Sequence, residues 1–298
     1  MVLVVVIEKF LQYLEREKRY SGNTILAYQA DLQQFLEYIS RQYSIDSITL
    51  IDSSMIRSWI AGIMQQGHAK STVNRKLSTL KTFFRFSFKS GYITLNPLER
   101  LLSIKKDALL PGFVPEEKMH RLLDQSFFEP NFRGIRDLLI LELFYTTGMR
   151  LSELCKLKQA DIDTDQLTAK ITGKRSRQRV VPLLRDVADR FKEYIMQRDK
   201  EFNFLAHPYV FVTERGTPVY PKFVYRLVTS NLGRVTTSSK RSPHLLRHTF
   251  ATHMLNQGAD LNAIKEILGH SSLSATQVYT HNSVEKIKKV YKQAHPKA

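Results

Sequence analysis

Apolar residues recur every three or four positions through the first hundred residues and almost never alternate. Residues 24–41 carry Ile25, Tyr28, Leu32, Phe35, Leu36 and Ile39, a spacing that lines one face of a helix. Ser21 and Asn23 stand where caps belong. A shorter stripe over 55–64 surrounds Trp59 and closes at Gly67. A third, over 72–90, aligns Val73, Leu77, Leu80, Phe83 and Phe84, with Ser71 placed to cap it and Gly91 to stop it. The opening apolar run, 2–7, leads straight into Glu8-Lys9-Phe10. That run is too short to span a bilayer, so it starts the first helix.

The pattern changes after Asn96-Pro97. Residues 101–112 are basic and punctuated by proline and glycine, which reads as a connection. The expected division is a helical domain over 1–100, a linker over 101–114 and a second domain over 115–298. Pro115 followed by Glu116-Glu117 suits a helix start, with acids at its positive end. A long apolar helix over 135–146 breaks at Thr147-Gly148, just before Arg150. Segments 167–171 and 179–183 flank Gly173-Lys174-Arg175-Ser176-Arg177-Gln178 and read as a hairpin, with 209–213 a further strand candidate. From Pro221 helical patterns return, stopped at Gly258 and Gly269. The expected class is mainly α with a small β-sheet in the second domain.

Length and charge sharpen this picture. A chain of 298 residues, 43% hydrophobic, can build two ordinary cores. Its formal net charge is +17, and residues 1–106 alone hold 15 Lys and Arg against 8 Asp and Glu. An excess spread over both domains favours a polyanion, because each neutralised phosphate releases counterions. The only candidate for a membrane-surface helix, 284–293, is short and lacks large apolar anchors, so no membrane partner is expected. Cys155 is the sole cysteine, which leaves no intrachain disulfide, a packed thiol and a cytoplasmic expectation. The 72–90 helix carries Arg75, Lys76 and Lys81 among Ser, Thr and Asn residues. These are candidate DNA contacts, against the plainer reading of a solvated helix face.

The candidate chemistry lies downstream. Arg247 follows His244 by one helical turn, His270 comes 26 positions after His244, and Tyr279 nine after that. Arg150 and Lys174 lie upstream. In phosphoryl transfer, negative charge gathers on the non-bridging oxygens, and guanidiniums fixed beforehand stabilise it. Arg150 and Arg247 suit that task. A tyrosine of ordinary pKa near 10 needs cations or a base to attack phosphorus, and His244 and His270 supply hydrogen bonds or proton transfer. The departing oxygen needs a proton, for which Lys174 at the hairpin tip is the candidate. No dense acidic or histidine cluster offers ligands for two metals, so neither metal nor cofactor is expected. His248, His253 and His281 gain no role.

Three long motifs resemble the tyrosine recombinase (phage integrase) family, and closely its Xer branch. They are Tyr145-Thr146-Thr147-Gly148-Met149-Arg150-Leu151-Ser152-Glu153-Leu154, Ser242-Pro243-His244-Leu245-Leu246-Arg247-His248, and Leu268-Gly269-His270-Ser271 through Gln277-Val278-Tyr279-Thr280-His281. The resemblance implies a helical core-binding (SAM-like) domain and an α+β catalytic domain forming a C-shaped clamp around duplex DNA. Tyr279 would attack the scissile phosphate, leaving a 3′-phosphotyrosine and a free 5′-hydroxyl, without ATP or metal. Arg150, Lys174, His244, Arg247 and His270 match catalytic positions, and Glu153 supports the first arginine box. The resemblance further implies a homo- or hetero-tetramer with a paralogue on a short core site, activation by a septal DNA translocase or accessory factor, and a C-terminal tail lent to a neighbouring subunit. The family's hairpin often reads Gly-Lys-Gly; here Arg175 follows Lys174, and Arg175 or Arg177 becomes a candidate DNA contact. The expected role is resolution of chromosome or plasmid dimers at cell division. Alternatives are the integrase of a mobile element, a type IB topoisomerase-like relaxing enzyme and a non-catalytic DNA-binding relative.

Overall fold

A computed structural model describes residues 1–101, 104, 112–173, 176–203, 207–237, 241–269 and 281–297, with 281–286 described in backbone alone. The chain divides into two compact units, Met1–Leu109 and Leu110–Ala298.

The first unit is built from α1 (Leu3–Arg16), α2 (Gly22–Tyr43), α3 (Ser53–Gln65) and α4 (Lys70–Lys89). Each buries the stripe its sequence writes. Phe10 of α1, Phe35 of α2, Trp59 of α3 and Phe83 and Phe84 of α4 are buried and meet edge to face, Phe35 and Trp59 at 5.2 Å and Phe10 and Phe83 at 5.4 Å, the geometry that ring quadrupoles favour. Ser21 caps α2 by accepting from the Thr24 N–H. Asp52 caps α3 through the N–H groups of Ser54 and Met55. Helix α4 begins two residues earlier than expected: Ala69 takes the N-cap position and Ser71, the expected cap, lies inside the first turn.

One polar cluster interrupts this apolar unit. Asp31 of α2 is buried, and its carboxylate receives Lys76 Nζ at 3.0 Å, Thr79 Oγ1 at 3.0 Å and a guanidinium nitrogen of Arg75. Lys76 also donates to Gln34. Lys76 is only 4% exposed, which corrects its expected place on a DNA-facing surface. An ammonium fixed between a carboxylate and an amide inside the domain serves packing.

The second unit contains α5 (Glu116–Leu122), α6 (Phe132–Thr147), α7 (Leu151–Leu154), β1 (Ile162–Asp163), β2 (Thr168–Thr172), β3 (Gln178–Pro182), α8 (Arg185–Glu201), α9 (Pro221–Leu232), α10 (Pro243–Asn256), α11 (Leu261–Leu268) and α12 (His281–Ala294). The sheet is antiparallel in the order β1-β2-β3, with Ala169 opposite Val181 and Ile171 opposite Arg179. Helix α6 is buried over nearly its whole length because α8 and α10 pack against it. The 209–213 strand expectation does not hold. Val210, Phe211 and Val212 are buried, but their backbone groups bond to Leu157, Val219, the Tyr194 hydroxyl and the guanidiniums of Arg136 and Arg198, and only isolated bridges form. Buried apolar residues there fill the core without a neighbouring strand to pair with.

The C-terminal segment docks on its own domain. Ile287, Tyr291 and Ala294 of α12 are buried. The Tyr291 hydroxyl donates to the Thr146 carbonyl at 2.8 Å, the His295 ring stacks on Tyr291 at 4.9 Å, and Lys297 Nζ lies 3.6 Å from Glu142.

Candidate active site

The end of α6 creates the first half of the site. Gly148 terminates the helix in the left-handed region, at φ 58°, where a side chain is disfavoured. A Cβ there would also stand 2.7 Å from both Leu268 Cδ2 and Phe250 Cδ1. The tight turn lets α10 and α11 close against α6, and it throws Arg150 out at the start of α7. Glu153, three residues on, then reaches back. Its Oε2 accepts from the Arg150 backbone N–H at 2.7 Å and its Oε1 from Arg150 Nη1 at 2.8 Å.

Glu153 holds a second arginine that the sequence pattern does not single out. Arg179 of β3 is 4% exposed and forks onto the same carboxylate, Nη1 to Oε1 at 3.0 Å and Nη2 to Oε2 at 2.8 Å. Burial alone would raise the Glu153 carboxyl, but the hydrogen bonds and charge of Arg179, with those from Arg150, outweigh it and hold the pKa at about 2. Glu153 is therefore ionised at any working pH.

Arg247 completes the group. It lies on α10, buried, and donates through Nη1 to the Gly148 carbonyl and through Nη2 to the Leu268 carbonyl at 2.7 Å. Among the described residues no carboxylate bonds it. Burial, then the charges of Arg150 and Arg179, pull its pKa down to about 10, against the opposing pull of Glu153; the guanidinium stays charged near neutral pH. The negative end of α11 receives all three guanidiniums: Arg179 Nε bonds the Ile267 carbonyl at 2.6 Å, Arg247 the Leu268 carbonyl and Arg150 Nη2 the Gly269 carbonyl at 3.4 Å. These carbonyls have no intrahelical partner and carry the helix's negative partial charge. Gly269 lets the chain turn there at φ 66°, and a Cβ on it would lie 3.2 Å from Arg179.

The other expected residues fall as follows. His244 sits exposed in the first turn of α10, one turn before Arg247, after Pro243. Lys174, Arg175, His270 and Tyr279 lie outside the described residues. Gly173 and Arg177 close the connection between β2 and β3, Gly173 N–H to Arg177 carbonyl at 2.7 Å, and Arg177 is exposed. Arg75 is exposed but paired with Asp31, and Lys81 is half-buried. His253, to which the sequence assigns no role, is buried against the Tyr145 hydroxyl at 2.9 Å. Burial pushes the Cys155 thiol up to about 11, which makes it a poor nucleophile. Among the described residues no group of three or more His, Cys, Asp or Glu is placed to hold a metal, and no helix is long and apolar enough to cross a membrane.

The arrangement thus gathers positive charge around one carboxylate and one helix end. Arg150, with its side chain 37% exposed, offers donors outward to an anionic group.

Known proteins carry the same pattern. Residues 113–286 match the phage integrase family, and residues 7–91 match the phage integrase N-terminal SAM-like domain. The tyrosine recombinase XerC of Chlorobaculum tepidum is 35% identical over 97% of this chain and 94% of its own length. Among solved structures, the Tn1549 transposon integrase in complex with transposon right end DNA aligns with a TM-score of 0.76 at 20% identity, covering 97% of this chain and 99% of that one. The XerH recombinase bound to a palindromic difH substrate aligns at 0.74 and 22%, covering 98% and 81%. At such identities these two structures speak for the fold.

Proposed function

The chain belongs to the phage integrase family, as a tyrosine recombinase of the Xer type that cuts and rejoins DNA, and from that premise we propose which residues carry the reaction and what it serves. The observation that carries the reading is the convergence of Arg150 and Arg247 on the end of α11, which fixes two guanidiniums before any substrate arrives. Their donors stabilise the charge on the scissile phosphate as its phosphorus becomes five-coordinate. The Tyr279 oxygen attacks that phosphorus and forms a 3′-phosphotyrosine. The bond to the 5′ oxygen breaks, and Lys174 supplies the proton that oxygen takes. His244 and His270 hydrogen-bond the phosphate and move the phenolic proton. A 5′-hydroxyl from a partner duplex then attacks the phosphotyrosine, so bond energy is conserved and neither ATP nor metal is consumed.

The biological reading is resolution of chromosome or plasmid dimers at a short core site. Four protomers, identical or paralogous, exchange strands in pairs in the cytoplasm, and a septal translocase or accessory factor sets the timing. The two domains act on the same duplex, with Arg75, Lys81, Arg175 and Arg177 the candidate phosphate contacts. In a tetramer, a tail lent to a neighbour must first give up the contacts α12 makes with α6.

The test is a suicide-substrate assay in EDTA. Wild type and Tyr279→Phe are incubated with nicked duplexes bearing candidate core sites. Wild type should leave a denaturation-resistant protein–DNA adduct and Tyr279→Phe none. An adduct of equal yield from Tyr279→Phe removes Tyr279 as nucleophile.

A further inference from the structure

The proposed reaction gives Arg179 no part, yet its guanidinium joins the two halves of the site. It is buried in β3, and its three nitrogens are all engaged: Nε on the Ile267 carbonyl, Nη1 and Nη2 on the two oxygens of Glu153. Glu153 in turn holds Arg150 by its backbone N–H and by Nη1. A continuous path therefore runs from the end of α11 through Arg179 and Glu153 to Arg150. Each oxygen of Glu153 is shared, Oε1 between Arg150 Nη1 and Arg179 Nη1, Oε2 between the Arg150 N–H and Arg179 Nη2. Without Arg179 the carboxylate keeps a single partner on each oxygen, and burial then acts to neutralise it. Arg150, more than a third exposed, would keep its charge but lose its fixed direction.

A second feature gives Arg179 reach beyond Arg150. The carbonyls of residues 267, 268 and 269 accept in turn from Arg179, Arg247 and Arg150. The end of α11 is thus the common seat of all three, and the bond from Arg179 is the shortest of the three, at 2.6 Å. The side chain enters this seat from β3, so it registers the sheet against the helix.

We propose that Arg179 is a positioning residue for strand cleavage: through Glu153 it sets the direction in which Arg150 faces the scissile phosphate, and through Ile267 it holds the helix end on which Arg150 and Arg247 rest. This rests on the reading of Arg150 and Arg247 as phosphate-binding groups. The role also accounts for the residue type. Only a planar fork with a further donor behind it can engage both carboxylate oxygens and a carbonyl together, so a lysine cannot substitute.

Single-turnover cleavage separates positioning from mere packing. Arg179→Gln and Arg179→Lys are compared with wild type on two nicked duplexes, one with an ordinary scissile phosphate and one with a methylphosphonate, in which a methyl replaces a charged non-bridging oxygen. Melting temperature and duplex affinity are recorded on the same preparations. A displaced guanidinium matters most where there is charge to meet. Both variants should therefore cleave the phosphate about 100-fold more slowly than wild type, and the deficit should shrink to a few-fold on the methylphosphonate, with duplex affinity retained. An equal deficit on both substrates, or a wild-type rate for Arg179→Lys, overturns the proposal. Arg179→Lys keeps a cation beside Glu153 and is the arm to read should Arg179→Gln not fold. Failure of wild type itself to form an adduct with the phosphate would sink the reading of the active site, and this proposal with it.

Discussion

Two buried carboxylates, one in each unit, are surrounded in nearly the same way. Asp31 binds an exposed arginine, Arg75, and a buried lysine, Lys76; Glu153 binds a partly exposed arginine, Arg150, and a buried arginine, Arg179. The first cluster is closed by Thr79 and Gln34. The second continues into Arg247, a third cation held by backbone carbonyls. A carboxylate with two cations between helices binds elements together. A further guanidinium, with no carboxylate of its own among the described residues, raises the excess from one positive charge around Asp31 to two around Glu153, and in the proposed reaction the larger excess is what meets the phosphate. The same device holds helices together in one place and, in the reading proposed above, serves chemistry in the other.

The sharpest way to break this comparison is to remove the surplus cation. Arg247→Ala deletes the guanidinium bonded to the Gly148 and Leu268 carbonyls but leaves the Arg150–Glu153–Arg179 group in place. Removing one fixed donor to developing charge lowers turnover by about 1,000-fold in comparable sites. Adduct formation on a nicked duplex should fall by that order, while a gel-shift titration should show most of the duplex affinity retained. Near-normal turnover would mean that the surplus charge is packing, as at Asp31.

A smaller effect tests the carboxylate. The Glu153 pKa is held at about 2 in the folded protein against an ordinary 4.5, first through Arg179, which overcomes the opposing effect of burial. A folded pKa below the unfolded one contributes stability that is fully present above about pH 4.5 and is lost as pH falls towards 2. With roughly 1.4 kcal/mol per pKa unit, about 2 kcal/mol of this is lost on going from neutral pH to pH 3. Urea midpoints measured from pH 7 to pH 3 should therefore fall more steeply for wild type than for Glu153→Gln, which has no carboxylate to protonate. Parallel curves would show that Glu153 contributes nothing to acid sensitivity.

How far the sequence reveals these two clusters depends on what each partner is. The stripes of α2, α3 and α4 are written in side chains, and Arg150, Glu153 and Arg247 stand in long motifs. Lys76 is readable too: it falls three residues after Val73 and four before Leu80, inside the buried stripe, as Asp31 falls between Tyr28 and Phe35 in its own. A charge of each sign at core positions of two helices is the signature of an internal ion pair. Arg179 is not readable in that way. Between Gln178 and Val180 it looks like any hairpin arginine, and one of its partners is a backbone carbonyl, which has no letter. Helix α8 escapes the hydrophobic pattern because Val187, Ala188, Phe191 and Tyr194 are interleaved with charges, and its burial appears only once α6 lies across it.

The smallest expected effect sharpens the comparison from the other side. If Lys76 belongs to Asp31, it neutralises no phosphate, and Lys76→Met should leave the salt dependence of duplex binding unchanged. A variant that neutralises one phosphate fewer has a slope of log affinity against log salt shallower by about 0.9. Lys81, further along α4 and half-buried, is the control: as a phosphate contact, Lys81→Ala should lower the slope by about that amount. The two variants are titrated on one duplex from low to moderate salt, at a temperature well below either melting point. A slope that drops for Lys76→Met as for Lys81→Ala would mean that the Asp31 cluster opens on DNA and lends its lysine to the backbone. The two carboxylates would then differ only in how tightly each holds its cations.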